Sequence, residues 1–217
     1  FAAAASNNRS TDGCVHERTG AEAYTDAKPD AGAYFQAGGA PADIDPTEGR
    51  YPYECPGSVI QPLSDDVGVL TGAIRRLSVR GGTGGHFGAA WGWNLVSEKW
   101  STFWPAASAP APDDINKTTK AIILMSDGTF NTAFANGKSS EQAIALCSAM
   151  KGSSTDPLKH KVVVYAIGFQ APAASEATLK ACASSPDHHY YSANTAASLS
   201  QAFLDIGKSL KGLRLTQ

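Results

Sequence analysis

A chain of 217 residues, 42% of them hydrophobic, is long enough to bury one core of ordinary size and short for two. Its net charge of -2, from 18 basic and 20 acidic side chains, leaves no basic footprint for nucleic acid or anionic lipid. The longest apolar runs, Ala121 to Met125 and Val162 to Phe169, fall short of the roughly 20 residues a membrane helix needs, so no span is expected within this segment.

In chain order, residues 1–62 are rich in Ala, Gly, Asp, Pro and Tyr and hold no sustained period of 3.6 or 2, so they read as irregular structure. Phe1-Ala-Ala-Ala-Ala-Ser6 has neither the basic start nor the long apolar centre of a signal peptide, and the true N-terminus is expected upstream. Val67, Leu70, Ile74 and Leu77 keep one face of a helix beginning near Ser64 and ended or followed by Gly81-Gly82. After an irregular stretch from Pro105 to Asp114, the continuous apolar run Ala121-Ile-Ile-Leu-Met125 stops at Ser126-Asp127-Gly128. That pattern predicts a strand buried on both faces of a parallel sheet.

Ser139-Ser-Glu-Gln142 has the spacing of a capping box and opens a helix whose Ala143, Cys147 and Met150 share a face. Val162 to Phe169 reads as a second buried strand. A helix through Leu179 and Cys182, a short His-Tyr-Tyr run at 189–191, and a last helix marked by Leu199, Ala202, Phe203, Ile206 and Leu210 complete the chain. This alternation of strand and helix predicts an α/β fold, a parallel sheet with helices on both faces, in which binding groups gather at the carboxyl ends of strands.

The four cysteines, Cys14, Cys55, Cys147 and Cys182, fall into two sequence-local couples. Of the three possible connectivities, Cys14 with Cys55 and Cys147 with Cys182 is preferred because each pair lies within one half of the chain; four buried thiols are the alternative. Disulfides would place the protein outside the cytosol. No Cys-x-x-Cys spacing suits zinc, and the adjacent His188-His189 is poor chelating geometry.

Several blocks resemble the von Willebrand factor A-type domain, and within it the TadG-like proteins of bacterial Tad pilus assembly. Gly81-Gly-Thr-Gly-Gly-His-Phe-Gly-Ala-Ala-Trp-Gly-Trp93 is similar to the family's glycine-rich turn, and Ala121-Ile-Ile-Leu-Met-Ser-Asp-Gly-Thr-Phe-Asn-Thr132 to its strand ending in Ser-Asp-Gly. Val163 to Phe169, Leu179-Lys-Ala-Cys-Ala-Ser184 and the ending Leu213-Arg-Leu-Thr216 follow in the family's order, so the resemblance covers about residues 55–217. It implies a Rossmann-like, doubly wound, mostly parallel sheet, with residues 1–62 as a long irregular disulfide-bearing insertion and 63–217 as the remainder of the domain. It also implies a membrane anchor upstream and a periplasmic or cell-surface place.

The family's metal-ion-dependent adhesion site takes Asp-x-Ser-x-Ser from a first loop, Thr from a second and Asp from a third. By position, Thr83 matches the second-loop Thr and Asp127 the third-loop Asp, oxygen donors suited to Mg²⁺ or another divalent cation. No Asp-x-Ser-x-Ser occurs in the chain. The resemblance therefore implies that the domain's first strand, helix and second strand precede residue 1, or that another chain completes the domain.

Each of these residues also has a plainer reading. Thr83 suits a tight glycine turn, Asp127 a turn at a strand end, and Ser126 and Asn131 the capping of backbone groups. His86 suits a packed, hydrogen-bonded role, and Trp91, Trp93, Trp100 and Trp104 suit packing ahead of an exposed platform. Asp65-Asp66 and Asp113-Asp114 suit helix caps or solvent. Asn8-Arg-Ser and Asn116-Lys-Thr are sequons that would be idle in a bacterium. No Gly-x-Ser-x-Gly elbow, His-Glu-x-x-His pair or phosphate loop is present. The expected function is non-enzymatic: an envelope adhesion or pilus-assembly module with a protein partner. The alternatives are a metal-free scaffold subunit completed by another chain, and an intracellular A-type subunit of an ATP-driven complex.

Overall fold

Three apolar segments become adjacent parallel strands, and the helices between them supply the crossovers that parallel pairing requires. The computed structural model describes residues 15–30, 32–37, 43–44, 58–78, 82–114, 117–154 and 161–215. In chain order the elements are β1 (Val15–His16), β2 (Gln36–Ala37), β3 (Asp43–Ile44), α1 (Val67–Arg75), α2 (Gly85–Val96) and β4 (Ala121–Ser126). They continue with β5 (Thr132–Ala133), α3 (Ser139–Lys151), β6 (Val163–Phe169), α4 (Ala173–Cys182), β7 (Tyr190–Ala193) and α5 (Ala196–Leu215). The fold is α/β.

The sheet order is β4-β6-β7, all parallel, with Ala121 opposite Val163 and Ala166 opposite Tyr190. Two antiparallel pairs, β1 with β2 and β3 with β5, lie outside this sheet. On one face, Ile122 and Leu124 of β4 and Val164 and Ala166 of β6 pack under Ala89 and Trp93 of α2, Leu146 and Met150 of α3, and Leu179 of α4. On the other, Val163, Tyr165 and Ile167 of β6 pack under Ala202 and Ile206 of α5. The central strand β6 is buried on both faces, as its sequence predicts.

Strand β4 departs from that expectation. Ile123 is 39% and Met125 51% exposed, although in register they stand beside Tyr165 and Ile167, which are fully buried. Helix α5 covers β6 and β7, and among the described residues no strand pairs with the outer edge of β4. Helix α1 starts at Val67 rather than near Ser64, because the Asp66 carboxylate accepts the amides of Gly68 (2.7 Å) and Val69 (3.0 Å) and caps it there. Val67 and Ile74 on α1 and Leu77 just after it stay exposed, as does Phe203 on α5.

The capping box at the start of α3 does not form: no side-chain cap bond closes its N-terminus. The Ser139 hydroxyl instead meets His86, and the Gln142 amide donates to the carbonyls of Ala135 (2.7 Å) and Gly137 (3.0 Å). Ala143, Cys147 and Met150 share the buried face as expected. Cys147 and Cys182 form a disulfide that ties α3 to α4, with Cα atoms 5.0 Å apart. Cys14 and Cys55 lie outside the described residues.

Residues of the stretch read as irregular are fastened to the body by side chains. Trp100 donates to the Asp26 carbonyl (3.0 Å), and the Asp26 carboxylate accepts from Ser97 (2.7 Å) and Lys99 (2.6 Å). Trp100, Trp104 and Phe35 form a third buried cluster, with Trp91 packed against it, so the tryptophans here serve packing. No helix among the described residues is long and apolar enough to cross a membrane.

Candidate functional site

The glycine-rich turn before α2 lies against the loop that follows β4 because its residues lack side chains. A Cβ on Gly85 would overlap the Phe130 ring, and one on Gly82 the Thr132 hydroxyl. This close approach lets Asn131 bracket Thr83. The Thr83 amide donates to Asn131 Oδ1 (2.7 Å), and the Asn131 and Thr132 amides donate back to the Thr83 carbonyl (3.0 and 3.3 Å).

The structure thus brings Thr83 beside the turn that carries Asp127, at the carboxyl end of β4. A Cβ built on Gly128 would stand 3.4 Å from Thr83 Oγ1. Asp127 is exposed, and no hydrogen bond to its carboxylate is found among the described residues. Ser126 and Asn131 both bond backbone groups, as expected. Ser126 Oγ donates to the Gly128 carbonyl (3.1 Å), which also accepts from Ser175 Oγ of α4 (2.6 Å).

A hydroxyl and a carboxylate are the right donor types for a hard divalent cation, which takes about six or more oxygens. Their number does not fit. One carboxylate supplies little charge, the neighbouring Ser126 hydroxyl is engaged, and no group of three or more His, Cys, Asp or Glu side chains able to hold a metal occurs among the described residues. Thr83 and Asp127 alone are too few donors for such an ion.

A second polar cluster, which the sequence analysis touches only through His86 and Ser139 and not as a cluster, lies in the interior. His86 Nδ1 is 2.8 Å from Ser139 Oγ, and its Nε2 is 3.6 Å from Glu17 Oε1. Glu17 Oε1 accepts the amides of Phe134 and Ala135, both at 2.7 Å. Burial pushes the Glu17 carboxyl up, but the neighbouring His86 ring and these two amides outweigh it and hold the group down at about 2. Arg18, next in the chain, donates to the carbonyls of Thr25 (3.2 Å) and Ala27 (2.5 Å) and lies over the Phe35 ring at 4.4 Å. Burial lowers its guanidinium to about 10.

A Ser-His-Glu series invites comparison with a nucleophile, base and orienting acid. All three side chains are at least nine-tenths buried, and the adjoining cavity of about 10 Å³ has room for one water and for no substrate. The cluster holds the fold. Its members come from three distant parts of the chain, and spacing gave no signal; the one legible hint was the adjacent Glu17-Arg18 pair, which just after β1 is buried and so needs partners. No protein-family model, curated protein or solved structure matches the chain.

Proposed function

We propose that this chain is a non-enzymatic interaction module of a bacterial cell envelope. In this reading it is the later part of a Rossmann-like, doubly wound A-type domain similar to those of TadG-like pilus-assembly proteins. It docks a protein partner at the carboxyl edge of the sheet. The observation that carries the reading is the approach of Thr83 to the turn that carries the exposed Asp127 at the end of β4, where open α/β sheets bind their ligands. The Cys147–Cys182 bond supports a periplasmic or cell-surface place and counts against an intracellular ATP-driven complex. A divalent ion such as Mg²⁺ takes part only where further oxygen ligands come from the rest of the domain or from the partner.

The test is a titration of Mg²⁺ and Mn²⁺ into the protein, followed by amide NMR shifts, in parallel with co-purification from envelope extracts with and without chelator. The metal-assisted form requires shifts confined to residues 82–84 and 126–131, lost in Asp127→Ala. It also requires a captured partner that chelator releases. Partner capture unaffected by both Asp127→Ala and chelator overturns the metal-assisted form.

One observation favours a second reading, a metal-free scaffold subunit completed by another chain. Ile123 and Met125 leave one face of β4 bare where the neighbouring strand is covered. Capture of a partner that protects the β4 amides from hydrogen exchange, independent of Asp127, would favour it.

A further inference from the structure

Helix α1 is nine residues long, and none of them is buried. Val67 and Ile74 are 75% and 67% exposed, Leu77 just beyond the helix is exposed as well, and none of these joins the buried clusters of the body. Val67, Leu70 and Ile74 stand at i, i+3 and i+7, so they share one face and form an apolar stripe. A helix this short is marginal in water unless a packed face supports it. Its ends are fixed locally: Asp66 caps the first turn, and the Ser78 amide donates to Ser58 Oγ (2.9 Å), closing the segment at its base. What the stripe lacks among the described residues is a surface to lie on.

The charges around the stripe say which surface. From 65 to 76 the segment reads Asp-Asp-Val-Gly-Val-Leu-Thr-Gly-Ala-Ile-Arg-Arg, acidic at its start, basic at its end and uncharged between. All four charged residues are exposed.

We propose that α1 is a self-association element, which pairs antiparallel with α1 of a second copy, stripe against stripe. A two-fold axis passing between Leu70 and Thr71 sets Val67 level with the copy's Ile74, and the Asp65-Asp66 end level with the copy's Arg75-Arg76 end. One axis thus serves the apolar and the charged residues together, as a self-complementary interface requires. A parallel pair would set acid beside acid and arginine beside arginine with the helix dipoles aligned; the antiparallel pair sets opposite charges and opposed dipoles side by side. An unrelated groove would cover the stripe but leave this symmetry of charge without a use. The pairing uses neither Thr83 nor Asp127, so it is independent of the proposed docking edge.

Sedimentation equilibrium of the whole protein, from micromolar concentrations to about 1 mM, tests it. A reversible monomer–dimer equilibrium is expected. Ile74→Asp, at a position exposed in the single chain, is expected to keep the thermal unfolding curve and to weaken dimerisation at least about tenfold. Arg75→Glu with Arg76→Glu is expected to weaken it as well, whereas a parallel pair, already matching like with like, would be little changed. Under mild oxidation Leu70→Cys, next to the axis, is expected to give a disulfide-linked dimer that the unsubstituted chain does not form. Val67→Cys is not, because its two copies lie about 10 Å apart along the helices. A protein that stays monomeric throughout that range, as it would if the stripe docks on a different chain, overturns the pairing. So does a dimer that Ile74→Asp or the double arginine variant leaves intact, or equal cross-linking of Leu70→Cys and Val67→Cys.

Discussion

The molecule holds two small polar clusters that differ in what their groups are free to do. At the end of β4, Asp127 is exposed beside Thr83, and the surrounding hydroxyls and amides are spent on backbone groups. In the interior, Glu17 has committed one oxygen to two backbone amides and lies 3.6 Å from the His86 ring, which meets Ser139 on its other side. Residue type alone would rank the interior cluster as the reactive one, since it contains a serine, a histidine and a carboxylate. Access reverses that ranking: a buried group tied to the backbone holds the fold, and a charge left in solvent is available to a partner.

Breaking the interior cluster is the largest effect expected. Glu17→Ala leaves the Phe134 and Ala135 amides without their acceptor and is expected to cost about 3–5 kcal/mol in urea unfolding. A cost below about 1 kcal/mol would erase the distinction between the clusters. The disulfide comes next. Replacing Cys147 and Cys182 by Ala frees a loop spanning a sequence separation of 35 and is expected to lower stability by about 3–4 kcal/mol, read the same way.

Acid titration sharpens the contrast. The Glu17 carboxyl falls from an ordinary 4.5 to about 2 in the folded protein, so the folded state binds its proton less readily than the unfolded chain. Its contribution, roughly 3 kcal/mol, is complete above the unfolded value and is lost as pH falls from about 5 toward 2. His16 and His86 face the same carboxyl, and Asp26, also held low against the pull of burial by Lys99 and Ser97, titrates in the same direction. Glu17→Gln is therefore expected to flatten part of the acid limb of the stability curve. An unchanged limb would show that Glu17 does not keep its charge in the fold.

The two faces of the sheet repeat the lesson in apolar terms. Ile167→Ala empties a fully covered position and is expected to cost about 2–5 kcal/mol, against about 1 kcal/mol for Ile123→Ala on the bare face of β4. Comparable losses would mean that the β4 face is covered in solution.

How much of this was legible in the sequence depends on the range of the force involved. Most strands and helices after residue 63 were readable because periodicity and turn residues are local, and the Cys147–Cys182 pair because its partners are close in sequence; helix α2 was missed, since Gly81 to Trp93 reads as a glycine-rich turn and its glycines mask a helix that forms by packing on β4. The burial of β4 was misread because an apolar run states a preference, while its cover depends on where α5 comes to lie. The capping box failed for a similar reason, since Ser139 found His86, 53 residues away, in place of a local amide. Thr83 and Asp127 were singled out by resemblance, and their proximity depends on glycines whose role is visible only when Phe130 and Thr132 are seen against them.

The smallest effect concerns Asp127 itself. Its carboxylate is exposed and makes no hydrogen bond among the described residues, so Asp127→Ala is expected to change unfolding stability by less than about 0.5 kcal/mol. That near-silence is the useful result. A residue whose loss leaves the fold intact but removes divalent-induced shifts or partner capture acts through what it binds. A destabilisation above about 1 kcal/mol would instead make Asp127 a structural turn residue, and the interaction edge would then have to be sought along the bare face of β4.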